Sequence, residues 1–178
     1  MQPLVLDDAE QYKQQLPVWE VVRLLPAICP WPYPEGGAQY FIENMALPAM
    51  QAGQEWRWTI RYKHSPDQLM GEVIVGWIPI APGHIDNRWF WLNPQWQRQG
   101  IMTEACAAAT RFWFEQLDQP VLRTSKAAIH QASRRISQKE GMRHIDTTQL
   151  DYVEGRLATD IWEITREEWR NKINTSNY

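Results

Sequence analysis

The sequence has few of the features that mark secreted, membrane-spanning or metal-binding proteins. It has two cysteines, Cys29 and Cys106, whose contexts are unrelated, so neither a disulfide framework nor a cysteine metal motif is present. No apolar run approaches the roughly 20 residues that a membrane helix needs. The start of the chain has neither the charged nor the apolar part of a signal peptide. We therefore expect a cytoplasmic protein with no membrane partner and no metal.

An excess of positive charge is also missing. Lysine and arginine total 18 against 21 aspartate and glutamate, which gives a net charge of −3. Such a chain has no global basic field to attract nucleic acid. Tryptophan, in contrast, is abundant at 11 residues, which indicates an aromatic-walled pocket beside the core. Stacking of single-stranded nucleic acid on these rings is an alternative that the acidic balance opposes.

The length of 178 residues fits one domain. We predict a single domain over residues 1–170, followed by a frayed tail at residues 171–178. Helical spacing of apolar residues predicts helices over residues 7–16, 17–25 and 38–47. Pro48 is expected to end the third of these helices. Three prolines within residues 29–37 predict a rigid loop.

The middle and end of the chain predict a sheet with crossover helices. Strands over residues 56–62, 69–80 and 87–92, with turns at residues 66–67 and 82–83, indicate an antiparallel meander. A helix from Ile101 leads to a strand at residues 121–128, parallel to the strand before the helix. A polar helix over residues 131–140 ends at Gly141. Strands at residues 147–153 and 157–164 form a hairpin. The fold class is therefore mixed α/β.

Residues 97–105, with the sequence QRQGIMTEA, are the most informative stretch. They connect an aromatic strand to an alanine-rich helix through a glycine turn. Such a turn leaves backbone N–H groups free at a helix N-terminus, where partial positive charge accumulates. The arrangement suits a ligand that carries phosphate.

The motif Gln97-x-x-Gly100-x-Met102 resembles the acetyl-CoA pyrophosphate loop of the GCN5-related N-acetyltransferases (GNAT), whose pattern is Gln/Arg-x-x-Gly-x-Gly/Ala. Within that superfamily the chain most resembles the ribosomal-protein alanine acetyltransferase branch, the RimJ/RimL-like proteins. The segment HQASRRISQKEGM at residues 130–142 is similar to the branch's Asn-x-x-Ser segment with its later Lys-x-Gly-Phe. The opening helices and proline loop within residues 18–42 are also similar.

The resemblance implies a GNAT fold. This is a central, mostly antiparallel twisted sheet with a splayed parallel strand pair, flanked by about four or five helices. It implies acetyl-CoA as co-substrate and a primary amine as acceptor, either a protein N-terminus or a small molecule. Transfer would occur by direct attack in a ternary complex. The alternative is a catalytically weak acyl-CoA-binding protein with a sensing or regulatory role. The chain would be a monomer or a homodimer.

The resemblance also implies site residues. Coenzyme contacts fall on the strand end, the turn and the start of the later helix: Trp91, Leu92, Gln97, Arg98, Gln99, Gly100, Ile101, Met102, Thr103, His130 and Ser133. Ser133 would lie near the thioester sulfur and protonate the departing thiolate; the alternative is that it only satisfies a free N–H at the helix start. His130 replaces the family's Asn. Arg134 and Arg135 either form a solvated helix face or touch coenzyme phosphate.

Three departures from the family pattern bear on the chemistry. The first strand has room only near residues 3–6, so we expect it to be short or missing. The third strand lacks the family's acidic residue, and Asp86, one position earlier, is the candidate general base acting through a water chain. A backbone carbonyl is the alternative base. Trp89 replaces a glycine and would narrow the acceptor site.

Overall fold

The computed structural model describes residues 1–175, which form two antiparallel sheets. The first sheet has the order β1-β2-β3-β4 and the second the order β5-β7-β6. The strands of the first sheet are β1 Gln2–Pro3, β2 Glu55–Tyr62, β3 Ser65–Ala81 and β4 His84–Leu92. Those of the second are β5 Val121–Ala127, β6 Arg143–Tyr152 and β7 Gly155–Thr165.

Helices cover both sheets and confirm the mixed α/β class. They are α1 Ala9–Gln15, α2 Trp19–Val22, α3 Gly37–Phe41, α4 Leu47–Gln51, α5 Ile101–Glu115, α6 Gln131–Glu140 and α7 Arg166–Thr175. The long α5 buries Ala105, Ala109 and Trp113 in a core that it shares with both sheets. A second core, centred on Ile42 and Trp91, lies between α1, the α3 segment and the first sheet.

Two predictions about the N-terminal helices are wrong. The second helix is a single turn, Trp19–Val22, rather than residues 17–25. Pro48 does not end the third helix, because the chain continues helically to Gln51. The segment Ile42–Ala46 is π-helical, so each carbonyl there accepts from the N–H five residues later instead of four. Pro48 then lies in the first turn of α4, where a missing N–H is tolerated.

The strand boundaries also differ from those predicted. The turn before β3 lies at residues 63–64, since Tyr62 already pairs with Ser65. Pro66 is at the start of β3, a position that does not require its N–H. Strand β6 begins at Arg143 rather than at the predicted Thr147. It is an edge strand, and its first residues are exposed on both faces. It therefore lacks the apolar alternation that would mark it in the sequence.

The two ends of the chain give one correction. Strand β1 is short, as predicted, and pairs Gln2 and Pro3 with β2. The predicted tail is helical as far as Thr175, because α7 buries Trp169 with its ring centroid 5.2 Å from that of Phe114. The rest of the predicted tail, residues 176–178, lies outside the described residues.

Strands β4 and β5 lie side by side, but polar side chains rather than a backbone ladder join them. Asn87 Oδ1 accepts from the Arg123 N–H at 2.9 Å, and the Thr124 hydroxyl donates to the Arg88 carbonyl at 3.0 Å. Both contacts lie in the first half of β4, and the paired numbers rise together, as in a parallel pair. Beyond them the strands part. We call the gap between residues 89–92 and residues 126–127 the fork.

A buried ion pair fixes the elements around the fork. The Arg88 side chain, with the residue 1% exposed, bonds both carboxylate oxygens of Glu140 at 2.6 and 2.7 Å. Thr110 of α5 donates to the same carboxylate at 3.0 Å. Since Glu140 ends α6, these contacts join β4, α5 and α6.

We expect Arg88→Met to lower the free energy of unfolding by about 3–5 kcal/mol, because the nearly buried Glu140 carboxylate loses its counter-charge. Urea denaturation measures the change. The control is Arg143→Met, which breaks exposed pairs with Glu163 and Glu168 and should change stability little, because solvent screens such pairs. Equal losses in the two variants would show that the buried pair does not tie these elements together.

Candidate active site

The turn between β4 and α5 has an unusual backbone. Arg98 has φ 62° and Gly100 has φ 82°, both in the left-handed region. For Arg98 this conformation costs roughly 1–2 kcal/mol, and such local strain concentrates at functional sites. No atom lies within 4 Å of the position that a Gly100 Cβ would occupy. Glycine is therefore required here by the backbone angle rather than by the space around it.

This backbone leaves its amides free. The first hydrogen bond of α5 runs from the Glu104 N–H to the Gly100 carbonyl at 3.0 Å. No acceptor within residues 1–175 receives the N–H groups of residues 98–103, which we call the cradle. Adjacent free donors at a helix N-terminus attract anions. The Arg98 guanidinium, exposed and in no ion pair with the described residues, adds positive charge.

Two of the predicted coenzyme-binding side chains hold the turn itself. The Gln97 amide donates to the Leu92 carbonyl at 2.9 Å, and the Gln99 amide donates to the Gln95 carbonyl at 3.2 Å. These bonds fasten the cradle to the end of β4. The Gln97 backbone N–H donates to the Pro94 carbonyl at 3.1 Å, so the predicted coenzyme contact of Gln97 gains no support from this geometry. Coenzyme contacts of Gln99, Ile101, Met102 and Thr103 remain predictions for their backbone amides.

The backbone groups of β4 that face the fork include those of Phe90, a residue that the sequence interpretation missed. The Arg88 carbonyl faces β5, so strand alternation places the N–H and C=O of Phe90 in the fork. The Trp91 side chain lies elsewhere, with its indole N–H on Glu72 at 3.2 Å. The Leu92 carbonyl is occupied by Gln97. Finding Phe90 requires the register of β4 against β5, which the sequence does not contain.

Ser133 and His130 lie at the start of α6, next to the fork. Ser133 is 5% exposed, and its hydroxyl makes no hydrogen bond within the described residues and caps no helix N–H. The structural alternative for Ser133 is therefore not realised, and its catalytic role remains a prediction. Burial, with the nearby charges of Lys126 and Arg23, lowers the pKa of His130 to about 4. Its imidazole is neutral near pH 7 and keeps both a donor and an acceptor.

The two arginines of α6 differ in their contacts. Arg134 pairs with Asp160, with its Nε 2.8 Å from Oδ2, and donates to the Ala128 carbonyl at 3.2 Å. Arg135 is exposed and makes no ion pair with the described residues. Arg135 is therefore the better candidate of the two for a contact with coenzyme phosphate.

Asp86 is placed differently from what a general base requires. It is 2% exposed, and its carboxylate accepts from the Ser125 N–H and hydroxyl at 2.8 Å each and from the Trp89 indole at 3.2 Å. Burial raises the pKa of Asp86, and the Ser125 hydrogen bonds oppose this rise. Both oxygens are committed to tying β4 to β5. This geometry favours a structural role, and the prediction of a base at Asp86 gains no support from it.

The side of the fork beyond Trp89 carries a groove. Residues 23–27 pair with the β6–β7 hairpin through the bonds Val153 N–H to Leu25 carbonyl (3.0 Å) and Glu154 N–H to Arg23 carbonyl (3.1 Å). Beside them lies a groove of about 440 Å³. Trp89 and Leu150 both pack against the cluster of Ile74, Ile78 and Ile80, and Ile80 and Leu150 line the groove. That Trp89 narrows an acceptor site stays a prediction.

The sequence comparison decides the family. The family model of the acetyltransferase (GNAT) domain matches residues 1–143. The chain belongs to the GNAT family. It is accordingly an N-acetyltransferase with acetyl-CoA as co-substrate. No curated protein sequence matches the chain significantly.

Solved GNAT structures share the fold. RimJ from Mycobacterium smegmatis, in complex with CoA-disulfide, aligns with a TM-score of 0.76 at 15% identity over 93% of this chain and 81% of that one. Spermidine N-acetyltransferase from Vibrio cholerae, in complex with CoA and spermine, aligns with a TM-score of 0.76 at 12% identity over 96% of each chain. A ribosomal-protein-serine acetyltransferase from Vibrio cholerae aligns at 0.67 and 18% identity over 91% and 90%.

Two features are absent from the described residues. Within residues 1–175, no helix is both long and apolar enough to cross a membrane. The same part of the chain contains no group of three or more His, Cys, Asp or Glu side chains that could hold a metal ion.

We expect Gly100→Ala to weaken acetyl-CoA binding about tenfold, because a Cβ at this left-handed φ costs roughly 1–2 kcal/mol and distorts the cradle. Gly53→Ala is the matched control, since Gly53 has φ 66° and also has open space around its Cβ position. Both variants should lose similar stability. Calorimetric titration should show weaker binding only for Gly100→Ala, and equal affinities would remove the cradle from the coenzyme site.

We expect Asp86→Asn to lower the melting temperature, because an amide cannot accept all three hydrogen bonds of the carboxylate. The acid limb of the pH–rate profile should stay in place if Asp86 is structural. A variant of normal stability whose acid limb disappears would instead identify Asp86 as the base.

Proposed function

We propose that the chain transfers the acetyl group of acetyl-CoA to a primary amine by direct attack in a ternary complex. The observation that carries the proposal is the row of free N–H groups at residues 98–103, at the mouth of an open strand fork. The family model supplies the reaction class. The cradle supplies the place for a pyrophosphate beside that fork.

Each part of the site has a role in this reaction. The cradle holds the pyrophosphate, and the exposed edges of the fork bond the amides of the pantetheine arm. The Phe90 N–H faces the carbonyl oxygen on which negative charge develops. The neutral amine attacks the carbonyl carbon, the C–N bond forms, and the C–S bond breaks with its electron pair passing to sulfur. Ser133 donates a hydrogen bond to the departing sulfur, and the proton lost by the attacking nitrogen passes through water to the thiolate. Holding both reactants together supplies much of the rate.

The groove gives a preference among acceptors. Its lining includes a single acidic residue, Asp151, and the nearby Glu154 is already paired with Arg23 at 2.5 Å. A polyamine carries several positive charges and needs more carboxylates than this. The groove therefore favours a protein N-terminal amine, as in the RimJ/RimL-like branch, over a small polyamine. We further propose that the protein acts in the cytoplasm, as one domain and as a monomer or homodimer.

Two measurements test this function. Acetyl-CoA should raise the melting temperature, because it binds only the folded state. Release of CoA thiol should then exceed the background with peptides that have a free N-terminus, and should stay low with spermidine. Stabilisation without release for any acceptor would favour the acyl-CoA-binding alternative. No stabilisation would contradict both.

We expect Ser133→Ala to lower kcat about 100-fold with the KM for acetyl-CoA nearly unchanged, since a hydrogen-bond donor to the departing sulfur acts in the chemical step. Steady-state kinetics with the best peptide measures this. Ser137→Ala is the control, because Ser137 lies one turn later on α6, is fully buried and has an unpartnered hydroxyl. It should keep full activity. An unchanged kcat in Ser133→Ala would remove Ser133 from the chemistry.

A further inference from the structure

One charged side chain in the fork makes a cation–π contact but has no anionic partner among the described residues. Lys126 extends from β5 and is 5% exposed. Its Nζ lies 4.9 Å from the ring centroid of Phe90 on β4, so the side chain crosses the gap between the strands. Within residues 1–175, no hydrogen-bond acceptor or ion-pair partner contacts the ammonium.

The carboxylates near Lys126 all have another cation or donor beside them. Asp160 is its cross-strand neighbour on β7, and its Oδ2 lies 2.8 Å from Arg134 Nε, although these two atoms do not form a hydrogen bond. Glu140 on α6 pairs with Arg88, and Asp86 on β4 accepts from Ser125. The spare ammonium is therefore a property of the whole cluster rather than of one rotamer.

Such an ammonium is costly to bury. A charge taken from water without hydrogen bonds is destabilising, and burial, followed by the charge of Arg88, lowers the pKa of Lys126 to about 8. Cys106 of α5, Asp86 and Glu140 oppose this shift without cancelling it. His130 also faces this group and is neutral. A cation without an anionic partner in the fork indicates that a negatively charged group of a substrate binds beside it.

We propose that Lys126 is the group that stabilises and protonates the departing CoA thiolate. The proposal rests on the proposed function, which puts the thioester in the fork. As the amine attacks and the C–S bond breaks, the electron pair passes to sulfur, and one Nζ–H proton follows it to give the CoA thiol. Lys126 is left as a neutral amine, and the proton lost by the attacking nitrogen restores its charge through water.

This role suits an ammonium better than a hydroxyl. A serine that gives up its proton becomes an alkoxide, whereas a lysine becomes a neutral amine in a buried site that already disfavours its charge. The lowered pKa of Lys126 lies close to that of a thiol, about 8.5, and proton transfer is efficient between groups of similar pKa. Ser133 would then orient the sulfur by hydrogen bonding.

The first test needs no acceptor. In the wild-type complex with CoA, the pH dependence of thiol alkylation by iodoacetamide should place the pKa of the bound thiol about one unit lower than in the Lys126→Met complex, because an adjacent cation favours the thiolate. Lys63→Met is the control, since Lys63 is exposed in the β2–β3 turn. Equal thiol pKa values in the wild type and Lys126→Met would overturn the proposal.

The second test combines stability with rate. Lys126→Met should melt higher than the wild type at pH 7, and the difference should shrink as the pH rises from about 8 and vanish near 10.5, the ordinary lysine pKa, because only the charged form is penalised in the folded state. Its kcat should fall about 100-fold with little change in the KM for acetyl-CoA. A variant that loses stability and activity together would show that Lys126 is structural.

Failure of the wild-type protein to bind acetyl-CoA would refute the proposed function itself, and this outcome is separate from any difference between the variants. A stable acetyl group on Lys126, found by peptide mapping after incubation with acetyl-CoA, would make it a nucleophile and would overturn its assignment as the acid.

Discussion

The placement of α5 and α6 against β4 depends on one buried ion pair. Arg88 and Glu140 lie where β4, α5 and α6 meet, and their bidentate contact sets the position of both helices relative to the strand. The start of α5 carries the cradle, and the start of α6 carries Ser133. A shift of either helix would therefore separate the pyrophosphate site from the site of chemistry. A buried pair seldom adds net stability over a well-packed apolar contact, so its value here lies in fixing geometry.

The side-chain contacts between β4 and β5 explain why the fork is open. A parallel pair joined by backbone hydrogen bonds would have no free edge, but here Asp86 and Asn87 use their side chains to hold β5. These contacts are confined to the first half of β4. Past Arg88 the backbone groups of Phe90 have no strand opposite them, and a pantetheine arm can use them. The polar residues that join β5 to the first half of β4 thus determine how much of the second half of β4 is available to a ligand.

The sequence predicted the parts of the site that depend on local chemistry. A glycine turn before an alanine-rich helix identified the cradle, and Gly141 correctly marked the end of α6, where it has φ 79°. Pro48 misled because the π-helical segment before it rearranges the hydrogen bonds. The start of β6 was missed because an exposed edge strand has no apolar alternation. The positions of Phe90 and Lys126 in the fork depend on strand register between distant segments, which no local pattern records.

The opposite face of the first sheet shows why an unpaired charge is informative in this protein. There Glu72 is fully buried and accepts from Tyr12 at 2.9 Å, from Trp91 at 3.2 Å and from Arg57 at 3.2 Å. Each buried charge in that network has several partners, which is the usual condition for keeping it in the interior. Lys126, 5% exposed, has no such partners and only the Phe90 ring beside its ammonium. Because the fold satisfies a buried carboxylate so completely on one face, a bare ammonium in the fork is best explained by a substrate that completes its surroundings.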